Sequence, residues 1–446
     1  MKIHFIAIGG SIMHSLAIAL KKNGHIVTGS DDIIYEPSKS NLKLHNLLPK
    51  KEGWSVSNIS KDLDVVILGM HAKKNNPELL KAQRYNLKIL SFPEFIYNES
   101  KNKKRVVIAG SHGKTTITAM VIHVLSIYGI EFDYLIGAKT NSIENQVKLD
   151  NNSIMIIEGD EYLSSAIDLT PKFMHYDPDV LLVSGVAWDH INVFPTKSSY
   201  ELAFIQILNH VIKKHGTIFY CNEDNFLSNY FTNNNFLSKS YQAPEYIIRD
   251  GKFILIYKNL HIPLSVFGKH NMENIQAAQY VCEELGVSEL DFYKAIKSFR
   301  GASRRLNLIK EINNHSSVYY DFAHSPSKVL ATINAVKELH PNRLLIGCLE
   351  LHTYSSLNIN FLPNYCNVFA NCDESWLYFD KKELKRKGFT DLDESFLLDC
   401  FNNANLIIIN DKEILRKKIL NLKLSNSNLL MMTSGNFSGI DIASII

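Results

Sequence analysis

Short apolar runs bounded by turn residues recur along the chain, separated by stretches with helical spacing. The first run, Ile3 to Ile8, predicts a buried strand that stops at Gly9-Gly10, followed by a helix through Leu20 and a second strand ending at Asp31. The segments 64–70 and 87–92 read as further strands, being short, β-branched and closed by turn residues. A new apolar strand, Arg105 to Gly110, runs into a glycine turn and a helix from about Thr116 to Tyr128, and strands follow at 153–160 and 180–186. The Asn-, Tyr- and Lys-rich stretch 222–262 predicts a peripheral insertion of short strands, and a helix from about Asn271 to Leu285 closes that block. Beyond it, 317–326 is a strand ending in a polar turn, and a helix and the strands 343–350, 405–410 and 428–435 complete the pattern. Strand–helix alternation of this kind implies parallel sheets covered by helices on both faces. The reading is an α/β protein of three domains, with residues 1–103, 104–303 and 304–446 as the blocks. The basic run 101–105 between the first two reads as a solvated linker.

Composition narrows the class. A chain of 446 residues exceeds one ordinary core, and a hydrophobic fraction of 46% with 21% charged residues describes a globular protein. The net charge of +3 demands neither a nucleic-acid nor a membrane partner. Six cysteines are scattered without a C-x-x-C pair, so reduced thiols are expected. No run approaches the ~20 apolar residues of a membrane span, and the N-terminus lacks a cleavable-signal layout. A cytoplasmic protein is the expectation.

Gly110-Ser111-His112-Gly113-Lys114-Thr115-Thr116, between a buried strand and a helix, carries the strongest chemical signal. Glycines let backbone wrap around phosphate oxygens, and the helix start offers free N–H groups and a positive dipole end. Lys114 would meet the β- and γ-phosphates and Thr115 would offer its hydroxyl to Mg2+. The common pattern has a glycine where this chain has Ile108, so the loop is a short variant. A glycine turn with a surface lysine is the alternative; the strand before and the helix after favour phosphate. At the N-terminus, Gly9-Gly10 follows a strand, but Ala7 and Ile12 leave the dinucleotide pattern incomplete.

A phosphate loop says nucleotide, and kinases, hydrolases and ligases all use one. The residues downstream narrow the choice. Glu158-Gly159-Asp160-Glu161-Tyr162, Trp188-Asp189-His190, Gly268-Lys269-His270-Asn271 through Asn274, Arg304-Arg305-Leu306 and Asp321 through Pro326 follow the loop in that order. In this order and spacing the chain resembles the Mur ligase family from end to end. The resemblance implies ATP as cofactor with Mg2+ or Mn2+, and UDP-N-acetylmuramate with an amino-acid or peptide amine donor as substrates. It implies that Thr115 and Glu158 hold one metal ion, that Glu158 and His190 hold a second, and that Arg305 contacts the γ-phosphate. Asn271 and Asn274 would read the adenine, Asp321 the ribose, and His324 would face nucleotide or substrate. Gly9, Gly10, Ser30, Asp31, His71 and Asn76 would bind the UDP-sugar. Lys114, Glu158, His190 and Arg305 are the catalytic set. On the residues alone, His190 reads as a hydrogen-bonded structural histidine, and Asn271 as a helix cap.

Some family members carry a modified lysine about fifteen residues after this histidine, where this chain has Ala203 to Gln206 and no lysine. That departure fits members acting directly on the muramic acid lactyl carboxylate. Among these, the segments around Glu158 and Asp189 and the ending Thr433 to Ile440 resemble the type that adds L-alanyl-γ-D-glutamyl-meso-diaminopimelate. Glu350 to Tyr354 lacks that type's arginine, and its histidine and tyrosine resemble the type adding L-alanine. A folylpolyglutamate-type ligase, which needs no UDP-binding block, and a catalytically silent nucleotide-binding protein are the readings from other classes.

Overall fold

The computed structural model describes residues 1–446 except 139–142, 144, 235, 237, 314, 390–391 and 446. Its described residues divide into two compact units, the first of residues 1–186, 201–241 and 277–288, the second of 187–200, 242–276 and 289–446.

The first unit carries two sheets. One is parallel throughout, in the order Ile26–Ser30, Lys2–Ile6, Val65–Leu68, Ile89–Ser91. Its central strands are buried on both faces, so they read as unbroken apolar runs rather than alternating ones. The other has seven strands, in the order Lys239–Tyr241, Thr217–Cys221, Val180–Val183, Lys104–Ala109, Ile154–Glu158, Asp133–Leu135, Val147–Lys148. Only its last pair is antiparallel. Lys104–Ala109 lies centrally between Val180–Val183 and Ile154–Glu158, so three chemistry-bearing loops leave the same end of adjacent parallel strands.

The second unit holds a six-stranded sheet ordered Asn307–Asn313, Ser316–Asp321, Ser427–Met432, Leu344–Glu350, Glu374–Tyr378, Ile407–Ile409, parallel except for its first pair. Apolar clusters cover both faces, one around Val329, Phe361 and Phe401, the other around Trp376, Leu415 and Phe437. The stretch predicted as an insertion contains the antiparallel meander Tyr246–Arg249, Lys252–Tyr257, Leu260–Pro263. The three parallel-rich sheets make this the expected α/β class. All six cysteines are free, and no helix among the described residues is long and apolar enough to cross a membrane.

The basic run 101–105 is solvated only in part: Lys101, Asn102 and Lys104 are exposed, but Lys103 and Arg105 are drawn into ion pairs. Arg105 is buried, its guanidinium 3.1 Å from Asp177 and 3.3 Å from Asp179, while Lys103, also buried, pairs with Asp133. Buried cations persist only when paired. Here the partners lie far along the chain, in neighbouring strands and loops.

Candidate active site

The phosphate-loop geometry follows from its glycines. Gly110 has φ +124°, and a Cβ there would lie 2.3 Å from Ser184 Oγ, so only glycine fits. Gly113 caps the helix Lys114–Ile127 in the left-handed region, φ +77°. Ser184 holds the loop, its hydroxyl donating to the His112 carbonyl and its N–H to the Ala109 carbonyl at 3.0 Å, and the Ser111 N–H donates to the Gly185 carbonyl at 2.8 Å. His112 is half-buried against Gly185, and Thr116 is buried in the first helical turn.

Lys114 Nζ donates to the Gly110 carbonyl at 2.5 Å and to Glu161 Oε2 at 2.7 Å. Burial disfavours its charge, but Glu161, Asp160 and Glu158 together raise its pKa, so the ammonium persists. The Thr115 hydroxyl donates to Glu158 Oε1 at 2.8 Å, and the Gly137 N–H to Glu158 Oε2 at 2.7 Å. Thr115 and Glu158 thus present adjacent hard oxygen donors, a set that suits Mg2+ or Mn2+. Asp160 pairs with Lys172 at 2.5 Å. The sequence put Asp160 and Glu161 in the acidic motif after the strand but gave neither a role, and it gave no signal for Lys172; which carboxylate reaches Lys114 shows only in the fold.

At the N-terminal turn, Gly9, Gly10 and Asp31 come together. The Gly9 N–H donates to Asp31 Oδ2 at 2.7 Å, and a Cβ on Gly9 would approach that oxygen to 2.9 Å. Burial, with Asp32 beside it, raises the Asp31 carboxyl to about 7. Ser30 donates its hydroxyl to Glu78, which is wholly buried and also accepts from Ser55 N and Asn58 Nδ2, both at 2.8 Å. Burial pushes the Glu78 carboxyl up, but hydrogen bonds from His4, Ser30, Ser55 and Asn58 hold it below its ordinary value. Asn76 caps the helix Pro77–Arg84, accepting from Glu78 N and Leu79 N, and His71 is exposed. The sequence draws attention to Asn76-Pro77-Glu78 but not to the bonds Glu78 gathers, because its donors are dispersed between His4 and Asn58.

The remaining residues lie in the second unit. Asn271 Nδ2 donates to the Phe267 carbonyl at 2.8 Å and Asn274 Nδ2 to Asn271 Oδ1 at 3.3 Å, both on the helix Lys269–Glu284. Asp321 ends the strand Ser316–Asp321 and accepts from the Thr332 hydroxyl at 2.5 Å. The Arg305 guanidinium lies 4.5 Å from the centroid of the Phe322 ring, while Arg304 is exposed. His190, at φ +57°, donates its N–H to Asp189 Oδ1 at 2.7 Å. Asp189 Oδ2 lies 3.8 Å from His324 Nε2 and 4.0 Å from Lys328 Nζ. Although burial raises it, the charges of His190, Lys328 and His324 bring the Asp189 carboxyl down to about 2, while burial and Lys328 bring His324 down to about 3. The structure therefore gathers Lys114, Thr115 and Glu158 in one unit and Asp189, His190 and His324 in the other.

Residues 2–104 match the family model described as Mur ligase family, catalytic domain, and residues 108–282 the one described as Mur ligase middle domain. The chain is 30% identical over 451 residues to the UDP-N-acetylmuramate–L-alanyl-γ-D-glutamyl-meso-2,6-diaminoheptanedioate ligase of Haemophilus influenzae, covering 98% of this chain and 97% of that one. It is 27% identical over 464 residues to the UDP-N-acetylmuramate–L-alanine ligase of Pelagibacter ubique, covering 98% and 96%. Among solved structures, a murein peptide ligase from Psychrobacter arcticus superimposes with a TM-score of 0.69 at 22% identity, covering 100% of this chain and 99% of that one, a likeness of fold.

Proposed function

Because the chain belongs to the Mur ligase family and is an ATP-dependent, ADP-forming amide ligase, we propose that it joins the lactyl carboxylate of UDP-N-acetylmuramate to the tripeptide L-alanyl-γ-D-glutamyl-meso-diaminopimelate. The observation that carries the reading is Lys114, a partly buried ammonium at a glycine loop, beside the Thr115–Glu158 oxygen pair. Support for the tripeptide comes from the end-to-end likeness to the Haemophilus influenzae ligase. L-Alanine is the second reading, supported by the comparable likeness to the Pelagibacter ubique enzyme and by His352 and Tyr354 after Glu350.

In this mechanism residues 1–103 bind UDP-N-acetylmuramate through Gly9, Gly10, Ser30, Asp31, His71 and Asn76. Residues 104–303 bind ATP, with Asn271 and Asn274 at the adenine. Residues 304–446 supply Asp321 at the ribose and Arg305 at the γ-phosphate. Thr115 and Glu158 would hold Mg2+ or Mn2+, with His190 joining Glu158 at a second ion, and the metal supplies neutralisation of phosphate charge. Lys114 presents an N–H and its positive charge to the phosphates while Gly110 and Glu161 hold it. The two anions, carboxylate and triphosphate, then meet without prohibitive repulsion. The carboxylate oxygen bonds to the γ-phosphorus, ADP leaves, and the acyl phosphate is attacked by the amine with loss of phosphate. Excluding water preserves that intermediate.

The test is phosphate release with ATP and UDP-N-acetylmuramate against each donor. Release with the tripeptide, and little with alanine, is expected. Release with alanine alone would overturn the donor assignment, and no release with any donor would overturn the substrate assignment.

A further inference from the structure

The side-chain amide of Gln146 joins two elements that lie far apart in the chain. Gln146 is 4% exposed and, like its partners, lies in the first unit. Its Nε2 lies 2.8 Å from the Gly137 carbonyl, which can only accept, so the nitrogen faces Gly137 and Oε1 faces the helix Ser11–Lys22. There the Ser15 hydroxyl donates to Oε1 at 3.2 Å, and Ser11 Oγ lies 3.5 Å away. The competing acceptor for the Ser15 hydrogen is His14 Nε2, more distant at 3.4 Å, and Asn41 Nδ2 already donates to that nitrogen at 3.2 Å. At its far end the helix is tied to the same segment, Asn23 Nδ2 donating to the Leu149 carbonyl. On its other side Gln146 grips the main chain twice, since its own carbonyl also accepts from Ile136 N at 2.9 Å. The Gly137 N–H in turn donates to Glu158 Oε2 at 2.7 Å, and a Cβ on Gly137 would lie 2.7 Å from Glu158 Oε1, so the carboxylate packs on this backbone. Hydrogen bonds therefore run unbroken from Ser15 through Gln146 and Gly137 to Glu158 and the Thr115 hydroxyl. A buried amide with both ends satisfied holds its neighbours in one arrangement, because breaking either bond leaves a desolvated polar group.

We infer that Gln146 is a positioning residue through which UDP-sugar bound at the Gly9–Gly10 turn sets the Glu158 carboxylate for Mg2+ and ATP, a role that rests on the ligase reading above. Gly10 precedes the first helical residue, Ser11, so an anion seated at this turn fixes the start of the helix and Ser15 with it. The chain of bonds carries that order to Gly137 and Glu158, whose freedom is otherwise lost only when the nucleotide and its metal ion bind. Each ligand then binds more tightly in the presence of the other, and by the same factor. A residue that only supports the fold would change both affinities and leave that factor as it was.

Calorimetric titration of the full chain with Mg2+ and the non-hydrolysable ATP analogue AMP-PNP, with and without saturating UDP-N-acetylmuramate, measures the factor. Wild type is expected to bind AMP-PNP about tenfold more tightly with the sugar present, and the sugar about tenfold more tightly with AMP-PNP present. Gln146→Met keeps the side-chain volume and removes both side-chain bonds; its factor falls to about twofold or less, while affinity for each ligand alone moves by less than about threefold. Ser15→Ala cuts the bridge at the helix and leaves the bond from Gln146 to Gly137, and its factor falls as well. A wild-type factor of one, or variants that keep the wild-type factor, overturns the role of Gln146. If Gln146→Met binds neither ligand, Ser15→Ala decides by the same criterion. Wild-type protein that binds AMP-PNP but no UDP-N-acetylmuramate overturns the substrate reading, and this role with it.

Discussion

The bonds of Lys114 suit the task proposed for it. An ammonium has three N–H donors, and Gly110 and Glu161 take two of them, which leaves one to be offered outward. Lys114→Ala removes the charge and is expected to lower kcat by on the order of 1000-fold, with UDP-sugar affinity nearly intact by calorimetry. Glu161→Gln keeps an acceptor but not its charge, and a fall of about tenfold in kcat with little change in KM for UDP-sugar is expected. Asp31 answers to pH instead. Burial and Asp32 raise its carboxyl to about 7, so the folded chain keeps a proton that the unfolded chain releases from about pH 4. Its contribution is fully present below pH 4 and is lost as pH rises towards 7. Asp31→Asn should melt higher than wild type at pH 8 and level with it at pH 4, by differential scanning calorimetry.

At the scale of elements, the phosphate loop depends on Gly110 as much as on Lys114. Gly110→Ala would force a Cβ against Ser184 in a backbone region that L-residues rarely adopt. A loss of about 2 kcal/mol or more is expected, read as a lower melting temperature together with weaker ATP binding. This element was legible in the sequence because everything that makes it, strand, glycines, lysine and helix, is contiguous. So were the strands at Lys2–Ile6, Ile154–Glu158 and Ser427–Met432, whose apolar runs are unbroken. Thr217–Cys221 and Glu374–Tyr378 escaped notice because five residues of mixed character give no periodicity to count. Arg105 was misread because charge signals solvent until a partner is known, and Asp177 and Asp179 are more than seventy residues away. The same limit hid the partners of Glu78 and the approach of Asp189 to His324, whose atoms meet only after folding.

For the whole molecule, the two units respond to pH through different groups. In the second unit, burial and then Arg343 lower His340 to about 4, and Tyr319 donates its hydroxyl to the ring at 2.8 Å. The unfolded histidine takes up its proton near pH 6.5. The stability tied to the neutral ring is therefore present above that value and lost as pH falls towards 4. Acidification from pH 7 to 5 should weaken the second unit by about 1 kcal/mol after allowance for solvent screening, and His340→Gln should remove most of that slope. Asp31 gives the first unit the opposite slope over the same range. The catalytic roles proposed above fall on both units, with Lys114, Thr115 and Glu158 in the first and Arg305, Asp321 and His190 in the second. The account stands on phosphoryl transfer to the sugar's carboxylate before amide formation. It is tested most directly by turning over UDP-N-acetylmuramate labelled with 18O in the lactyl carboxylate, with ATP and the tripeptide, and weighing the released phosphate. One 18O per phosphate is the predicted result; ADP and amide formed with unlabelled phosphate would contradict it.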